Sequence, residues 1–88
     1  MNQAVTENRE ARETAAAFDL LEHPGFADVL KDVAREAKAA RRVLFIETVS
    51  DREAAHARGT LNVLKSLVYA VYRRANREVP DNIEALFQ

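Results

Sequence analysis

Two long segments of the chain carry apolar residues at alternating spacings of three and four, and this repeat constrains the fold more than any other feature. The first repeat is Phe26, Leu30, Val33, Ala37, Ala40 and Leu44. The second is Ala54, Ala57, Leu61, Leu64, Val68, Val71 and Ala75. Such spacing places one apolar stripe along an α-helix and is typical of helices that pack side by side. The repeats therefore predict a pair of packed helices.

Breaks in the pattern set the ends of these helices. Proline disfavours helical geometry in the residue before it and suits the first turn of a helix, so a helix begins near Pro24, with His23 as a candidate cap. Ser50 and Glu53 have the spacing of a capping box, which begins the next helix. Helices joined by so short a turn lie antiparallel. We predict helices over about 6–22, 24–48 and 51–78 and a turn over about 81–87, in one domain spanning residues 1–88.

Composition agrees with an all-α class: a long antiparallel αα-hairpin with an additional N-terminal helix and a short C-terminal turn. Two Gly and two Pro are too few for the many turns of an all-β protein. The N-terminal helix has a thin apolar face formed by Ala11, Ala15, Phe18 and Leu21. Whether this helix packs on its own hairpin or crosses to a neighbour is left open by the sequence.

The same composition restricts the function. Thirteen basic residues against fourteen acidic ones give no net positive field, which disfavours nucleic acid as a partner. The absence of Cys excludes disulfides, thiolate metal sites and a Cys nucleophile. No apolar run approaches the length of a membrane span. No catalytic constellation or phosphate-binding Gly loop is visible, so we expect a protein that is not an enzyme and that has no cofactor.

The third helix has more apolar surface than one packed stripe can use. Val63, Leu67, Tyr69 and Tyr72 lie outside its repeat, and the second helix has a similar excess in Val29, Val43, Phe45 and Ile46. A stripe of mostly small residues also runs along the third helix: Ala55, Gly59, Asn62, Ser66 and Ala70. Gly within a helix costs about 1 kcal/mol relative to Ala, so Gly59 indicates either a helix of another molecule packed closely on this stripe, the chain's own first helix docked there, or simple tolerance near the turn. The predicted contact residues are Gly59, Val63, Ser66, Leu67 and Tyr69, with Leu86 and Phe87 in the tail.

The residues offer candidates for two other kinds of site. Glu53 and His56 form a Glu-x-x-His pair, and the segment from Asp51 to His56 is similar to the ligand segment of the hairpin-forming encapsulated ferritins. A metal site there needs further carboxylates from the facing helix, where only Glu47 is near, so we expect no metal. Basic residues are expected to cluster near the turn, interspersed with carboxylates: Lys38, Arg41, Arg42, Arg52 and Arg58. Such mixed charge favours a solvated face over a nucleic-acid site.

Part of the sequence resembles a family of small phage proteins. The resemblance begins with the string Leu20-Leu21-Glu22-His23-Pro24-Gly25-Phe26 and continues through a long helix. It then includes Asp51-x-Glu53 and Gly59, which precede a Leu-rich helix. The sequences of those proteins predict helical hairpins, and their genes lie among the head-assembly and portal genes of tailed phages and prophages. The resemblance covers roughly Leu20 to Leu67. The resemblance implies a virion or morphogenesis role, in the particle and in the host cytoplasm during assembly. Together with the apolar excess and the stripe of small residues, it leads us to expect a homo-oligomer, a contact with the portal or a neighbouring virion protein, or both. A small DNA-packaging or regulatory protein using the turn-proximal arginines is the alternative.

Overall fold

The computed structural model describes the backbone from Gln3 to Gln88 and the side chains from Asn8 onward. Within that range the chain forms α1 (Gln3–Glu22), α2 (Pro24–Leu44), α3 (Asp51–Arg74) and α4 (Asp81–Glu84), followed by a 3₁₀ turn at Ala85–Phe87. The described backbone contains no strand. The predicted all-α class is therefore confirmed.

Helices α2 and α3 form the most extensive packing in the molecule. Every member of the two apolar repeats is buried or half-buried, with Ala37, Ala57 and Val68 among the most deeply buried. Near the connection Ala40 and Ala57 line one hollow, while at the other end of the helices Phe26 and Val68 line another. The spacing of apolar residues thus identified the faces by which these two helices pack.

The two long helices end earlier than predicted. Helix α2 stops at Leu44 rather than near 48, and the Phe45 and Ile46 amides donate to the carbonyls three residues earlier, which closes the last turn. Helix α3 stops at Arg74 rather than near 78 because Asn76 has a left-handed φ of 55°. The Asn76 and Arg77 amides donate to the Arg73 and Tyr72 carbonyls at 3.1 and 2.9 Å, the pattern of a Schellman cap.

Side chains cap the first turns of α2 and α3. Nδ1 of His23 accepts a hydrogen bond from the Gly25 amide at 2.8 Å, which confirms the predicted cap. A Cβ at Gly25 would lie 2.9 Å from that Nδ1, so only Gly leaves room for the imidazole in this position. The Ser50 hydroxyl accepts from the Glu53 amide at 3.1 Å. In the predicted capping box the Glu53 carboxylate would accept from the Ser50 amide, but it accepts from the Ser50 hydroxyl at 3.2 Å instead.

We expect His23→Ala to lower the free energy of unfolding by about 1 kcal/mol, because the first turn of α2 loses its side-chain acceptor. For a domain of this size that loss lowers the thermal midpoint by roughly 4–8 °C. His23→Asn keeps a side-chain acceptor and is expected to recover most of the difference. Thermal unfolding followed by circular dichroism measures both variants; equal midpoints for wild type and His23→Ala would show that the bond contributes nothing.

Helix α1 packs mainly on α3, and the face that it uses differs from the predicted one. Thr14, Ala17 and Leu21 are buried or half-buried, whereas Ala11 and Ala15 are exposed. Residues 8–13 are all exposed, so none of them is packed into the described core. The C-terminal end of α1 is held by Arg77, which pairs with Glu22 at 3.0 Å and lies over the Phe18 ring at 4.9 Å.

The C-terminal segment turns back onto α2 and α3. Ile83 is its buried residue, and the Phe87 ring meets the Tyr69 ring edge to face with centroids 6.2 Å apart. From α2, Nη1 of Arg41 donates to the carbonyls of Ala85 and Gln88 at 3.3 and 3.2 Å. The tail is therefore a docked element of the fold.

The molecule is elongated, with extents of 57 × 30 × 19 Å and a radius of gyration of 16.6 Å. A compact domain of the same length has a radius of gyration of about 12 Å. Its accessible surface is 6834 Å², against about 5,200 Å² for a compact monomer of the same mass. The chain thus keeps far more surface in water than a self-contained domain of its size.

Candidate protein-interaction surfaces

The core that holds this fold is thin. Among the described side chains the buried apolar residues are Ala17, Phe26, Ala37, Ala40, Ala57, Val68, Ala75 and Ile83. Only Phe26, Val68 and Ile83 in that set are larger than Ala, and even these keep a few per cent of their surface exposed. Because burial stabilises in proportion to apolar area, a core made mostly of Ala gives little stabilisation.

Large apolar side chains lie exposed outside this core. Val63 and Leu67 stand on consecutive turns of α3 and are 59% and 63% exposed. With Gly59, one turn earlier, they form the surface that we call the outer flank. Neighbouring exposed apolar residues make the outer flank a candidate interaction surface.

Gly59 faces open space. A Cβ added there would meet no described atom within 4 Å. No described residue of helix α1 lies against Gly59, so the described part of the chain's own first helix does not dock there. Ser66 is exposed as well, and the outer flank is open to another molecule along its length.

The remaining predicted contact residues are used inside the chain. Tyr69 packs against Phe87, and Leu86 and Phe87 are half-buried in the docked tail. Loss of hydration raises the pKa of the Tyr69 hydroxyl, and the neighbouring Glu84 carboxylate raises it further. The structure therefore divides the predicted set in two, with Gly59, Val63, Ser66 and Leu67 open and the other three in an internal contact.

A second apolar surface lies at the connection between α2 and α3. Phe45 is 85% exposed and Ile46 is 52% exposed, and we call this pair the tip. Both residues belong to the apolar excess predicted for the second helix, but neither is among the predicted contact residues. The sequence contains a sign of this surface, because the apolar run Val43 to Ile46 continues past the end of the apolar repeat of α2.

The predicted basic cluster is split by the structure. Lys38, Arg41 and Arg42 surround Phe45 and Gln88, and none of the three forms an ion pair with a described carboxylate. Arg52 lines a different hollow, beside Glu36 and Glu53. Three of the five predicted cations therefore share one hollow with Phe45.

A third apolar surface lies at the end of the molecule opposite the tip. A groove of about 520 Å³ runs between α2 and α3 where α1 meets them, and we call it the apolar groove. Its lining residues include Leu20, Phe26, Val29, Val33, Leu67 and Val71. Val29 is 57% exposed and Leu67 belongs to the outer flank as well, so the groove opens directly onto solvent.

Glu36 lines the same hollow as Glu53 and His56, but the described residues bring no third ligand within metal-binding reach of this pair. Glu53 is already bonded to Ser50, and among residues 8–88 no group of three His, Asp or Glu side chains comes close enough to hold a metal ion. Across that same stretch, no helix has both the length and the apolar content that a bilayer crossing requires.

Comparison with family models, with curated proteins and with solved structures found no match.

Proposed function

We propose that this chain is a non-enzymatic structural or morphogenesis protein of a tailed phage, present in several copies and bound to a larger assembly. The assembly is the portal, the head–tail region or the ejected core. The chain joins this assembly in the host cytoplasm while particles form, and it remains part of the virion. Helices α2 and α3 serve as an antiparallel hairpin that presents the outer flank. The observation that carries the proposal is the contrast between an Ala-rich core and exposed residues as large as Leu67 and Phe45.

The energetic basis is the burial that the isolated chain leaves unused. Covering an exposed Val, Leu or Phe side chain stabilises by about 1.5–3 kcal/mol. The stabilisation available when a partner covers Val63 and Leu67 is therefore comparable to a large part of the free energy of unfolding of a small domain. We therefore expect the chain to be more stable when a partner covers these exposed apolar residues than when it is isolated.

The phage identity is supported by the resemblance of the segment around His23. In the structure His23, Pro24 and Gly25 act together at the reversal between α1 and α2, as cap, first helical residue and the position that gives the imidazole room. This string therefore has a structural task, and proteins that share it are expected to share the same helix–helix corner rather than a catalytic site.

The alternative is a small DNA-packaging or regulatory protein. It is favoured by one observation, the unpaired cations Lys38 and Arg42 beside the exposed Phe45 ring, since phosphate contacts and base stacking use such residues. Glu47 and Asp51 follow in the same connection and oppose a polyanion. An electrophoretic shift that weakens steeply with salt would support this alternative, and no shift at low salt would dismiss it.

Mass spectrometry of purified particles tests the leading proposal. The chain is expected to co-purify with virions through density-gradient centrifugation and to be released only when the particles are disrupted. Its absence from particles whose infected cells contain it would overturn the virion assignment.

Gly59→Ala is expected to separate the fold from the function. Since an added Cβ meets open space, the isolated chain gains up to about 1 kcal/mol of stability from the better helix former. In the particle the same methyl group lies where a partner helix approaches, so the number of incorporated copies should fall. Thermal unfolding and quantitative mass spectrometry measure the two effects; unchanged incorporation would show that Gly59 is not part of the contact.

A further inference from the structure

We infer that α1 is a hinged flap, which swings away from α3 about His23 while α2 and α3 stay packed, with Arg77 as its latch. The closed flap forms one wall of the apolar groove through Leu20. Opening of the flap therefore controls how much apolar surface the chain presents to solvent. The device belongs to the isolated chain and does not depend on the proposed place in a virion.

Arg77 holds the C-terminal end of α1. Its guanidinium pairs with the Glu22 carboxylate at 3.0 Å and lies 4.9 Å from the centre of the Phe18 ring. From residue 8 onward, these are the only ion pair and ring contact that tie α1 to another part of the chain. The Arg77 amide donates to the Tyr72 carbonyl at 2.9 Å in the Schellman cap of α3, so the latch has a fixed base.

The latch is weak enough to open. The side chains of Arg77 and Glu22 are 47% and 60% exposed. Water and salt screen an ion pair this exposed, so it contributes little to the stability of the closed flap. The contact between a partly solvated guanidinium and the Phe18 ring adds a similarly small amount. Arg77 therefore favours the closed flap without locking it.

The apolar packing beneath the flap is thin as well. Ala17 is the one buried residue among the described side chains of α1, and Thr14 and Leu21 are half-buried. Two of the larger apolar residues of α1, Phe18 and Leu20, remain 43% and 45% exposed. Because a helix in a protein is stabilised mainly by the packing of its apolar face, α1 is held less firmly than α2 and α3.

His23 provides the hinge. It is the single residue between α1 and α2, and its backbone is extended, with φ −77° and ψ 131°. Pro24 disfavours helical geometry at His23, so the two helices do not merge into one. The His23 amide donates to the Leu20 carbonyl at 3.1 Å, and the His23 carbonyl accepts from the Phe26 amide at 3.0 Å. Both dihedral angles of His23 lie between these two bonds, so α1 can turn without breaking either of them.

The hairpin of α2 and α3 has its own packing and does not need the flap. Ala40 and Ala57 are buried near the connection between the two helices. Ala40 is sixteen residues beyond Pro24, which places it about 24 Å from the hinge along α2. The C-terminal tail docks on α2 and α3. Because α1 has fewer buried contacts than this hairpin, it opens at a lower free energy than the rest of the fold.

Opening of the flap changes the apolar groove. Leu20 shares the groove with Val29 and Leu67 in the closed state. When α1 swings away, that wall is lost, and Ala17 and Leu21 enter solvent together with the face of α3 that they cover. Exposure costs free energy in proportion to the apolar area, so the closed flap predominates and the open one is a minor state.

Thiol labelling measures the opening, because the chain contains no Cys and one introduced thiol reports on one position. Ala17→Cys places the reporter beneath the flap, and Ala40→Cys places it in the packing of α2 and α3. The two positions are matched, since Ala17 is 8% exposed and Ala40 is 7% exposed. The reagent is a water-soluble aromatic disulfide, and each rate is divided by the rate for the same variant unfolded in urea.

We expect the thiol of Ala17→Cys to react at least about tenfold faster than that of Ala40→Cys. Equal rates, or faster labelling of Ala40→Cys, would show that α1 opens only with the whole fold and would overturn the flap. Circular dichroism checks that each variant is folded. Ala57→Cys, on the facing helix, serves as the reporter of the hairpin if Ala40→Cys does not fold.

Arg77→Gln tests the latch. This change removes the ion pair and the ring contact, so labelling of Ala17→Cys should accelerate by about two- to fivefold while labelling of Ala40→Cys stays unchanged. Arg74→Gln is the matched control, since it removes the same charge from an exposed position in the last turn of α3 and should leave both rates unchanged. An unchanged Ala17→Cys rate with Arg77→Gln, or an equal acceleration with Arg74→Gln, would overturn the role of Arg77.

Discussion

Phe26→Ala is expected to unfold most of the isolated chain at moderate temperature. Phe26 is 7% exposed and is the largest of the three buried side chains that exceed Ala in size. Truncating a buried Phe costs about 3–5 kcal/mol, and total stability near the lower end of about 5–15 kcal/mol is expected for a chain with so thin a core. Urea denaturation followed by circular dichroism should show a loss of at least half of the wild-type free energy of unfolding.

The control is the same substitution at a surface position. Phe45→Ala removes an identical side chain that is 85% exposed, and it should change the free energy of unfolding by no more than about 0.5 kcal/mol. Both variants are measured at a concentration where the chain is monomeric. Similar losses for the two variants, or a negligible loss for Phe26→Ala, would contradict the assignment of the core.

Ile83→Ala is expected to release the C-terminal tail. Ile83 is the buried anchor of the tail, and a buried Ile→Ala change costs about 2–5 kcal/mol. Few other contacts hold this segment, namely the Tyr69–Phe87 ring pair and the Arg41 hydrogen bonds, so the loss should appear as local opening rather than global unfolding. For a loss of about 2 kcal/mol, amide exchange in residues 81–88 should accelerate by roughly thirtyfold.

Asn82→Ala is the neighbouring control, since Asn82 is exposed in the same short helix. It should leave amide exchange in the tail near the wild-type rate. Amides in the middle of α2 and α3 should exchange at similar rates in all three proteins. If Ile83→Ala instead accelerated exchange uniformly along the chain, the tail would be part of the cooperative core and not a separately docked element.

The spacing of apolar residues was sufficient to predict the packed faces of α2 and α3 because two helices in contact bury one stripe each. It was not sufficient for α1. Ala15, Ala16 and Ala17 follow one another there, so neighbouring helix faces look alike in the sequence, and packing against α3 selects Ala17. The end of α3 depends on the left-handed Asn76, a conformation that the residue type permits but does not dictate.

Only part of the exposed apolar surface could likewise be predicted from the sequence. Gly59, Val63 and Leu67 could be identified because they are what remains on α3 once its packed stripe is removed. The Tyr69–Phe87 contact could not, because it joins residues on opposite sides of the break at Pro80 and depends on the path of the tail. The apolar groove was missed for a similar reason: Leu20, Val29 and Leu67 come from three different helices and meet only in the fold.

The most direct test of whether a partner covers the exposed apolar surface is hydroxyl-radical footprinting. The chain is labelled in two states, free at low concentration and bound in purified particles. Oxidation of Val63 and Leu67 should fall severalfold in the particle, while the already buried Phe26 remains protected in both states. Equal oxidation of Val63 and Leu67 in the two states would show that the outer flank stays in water and would contradict its role as a contact surface.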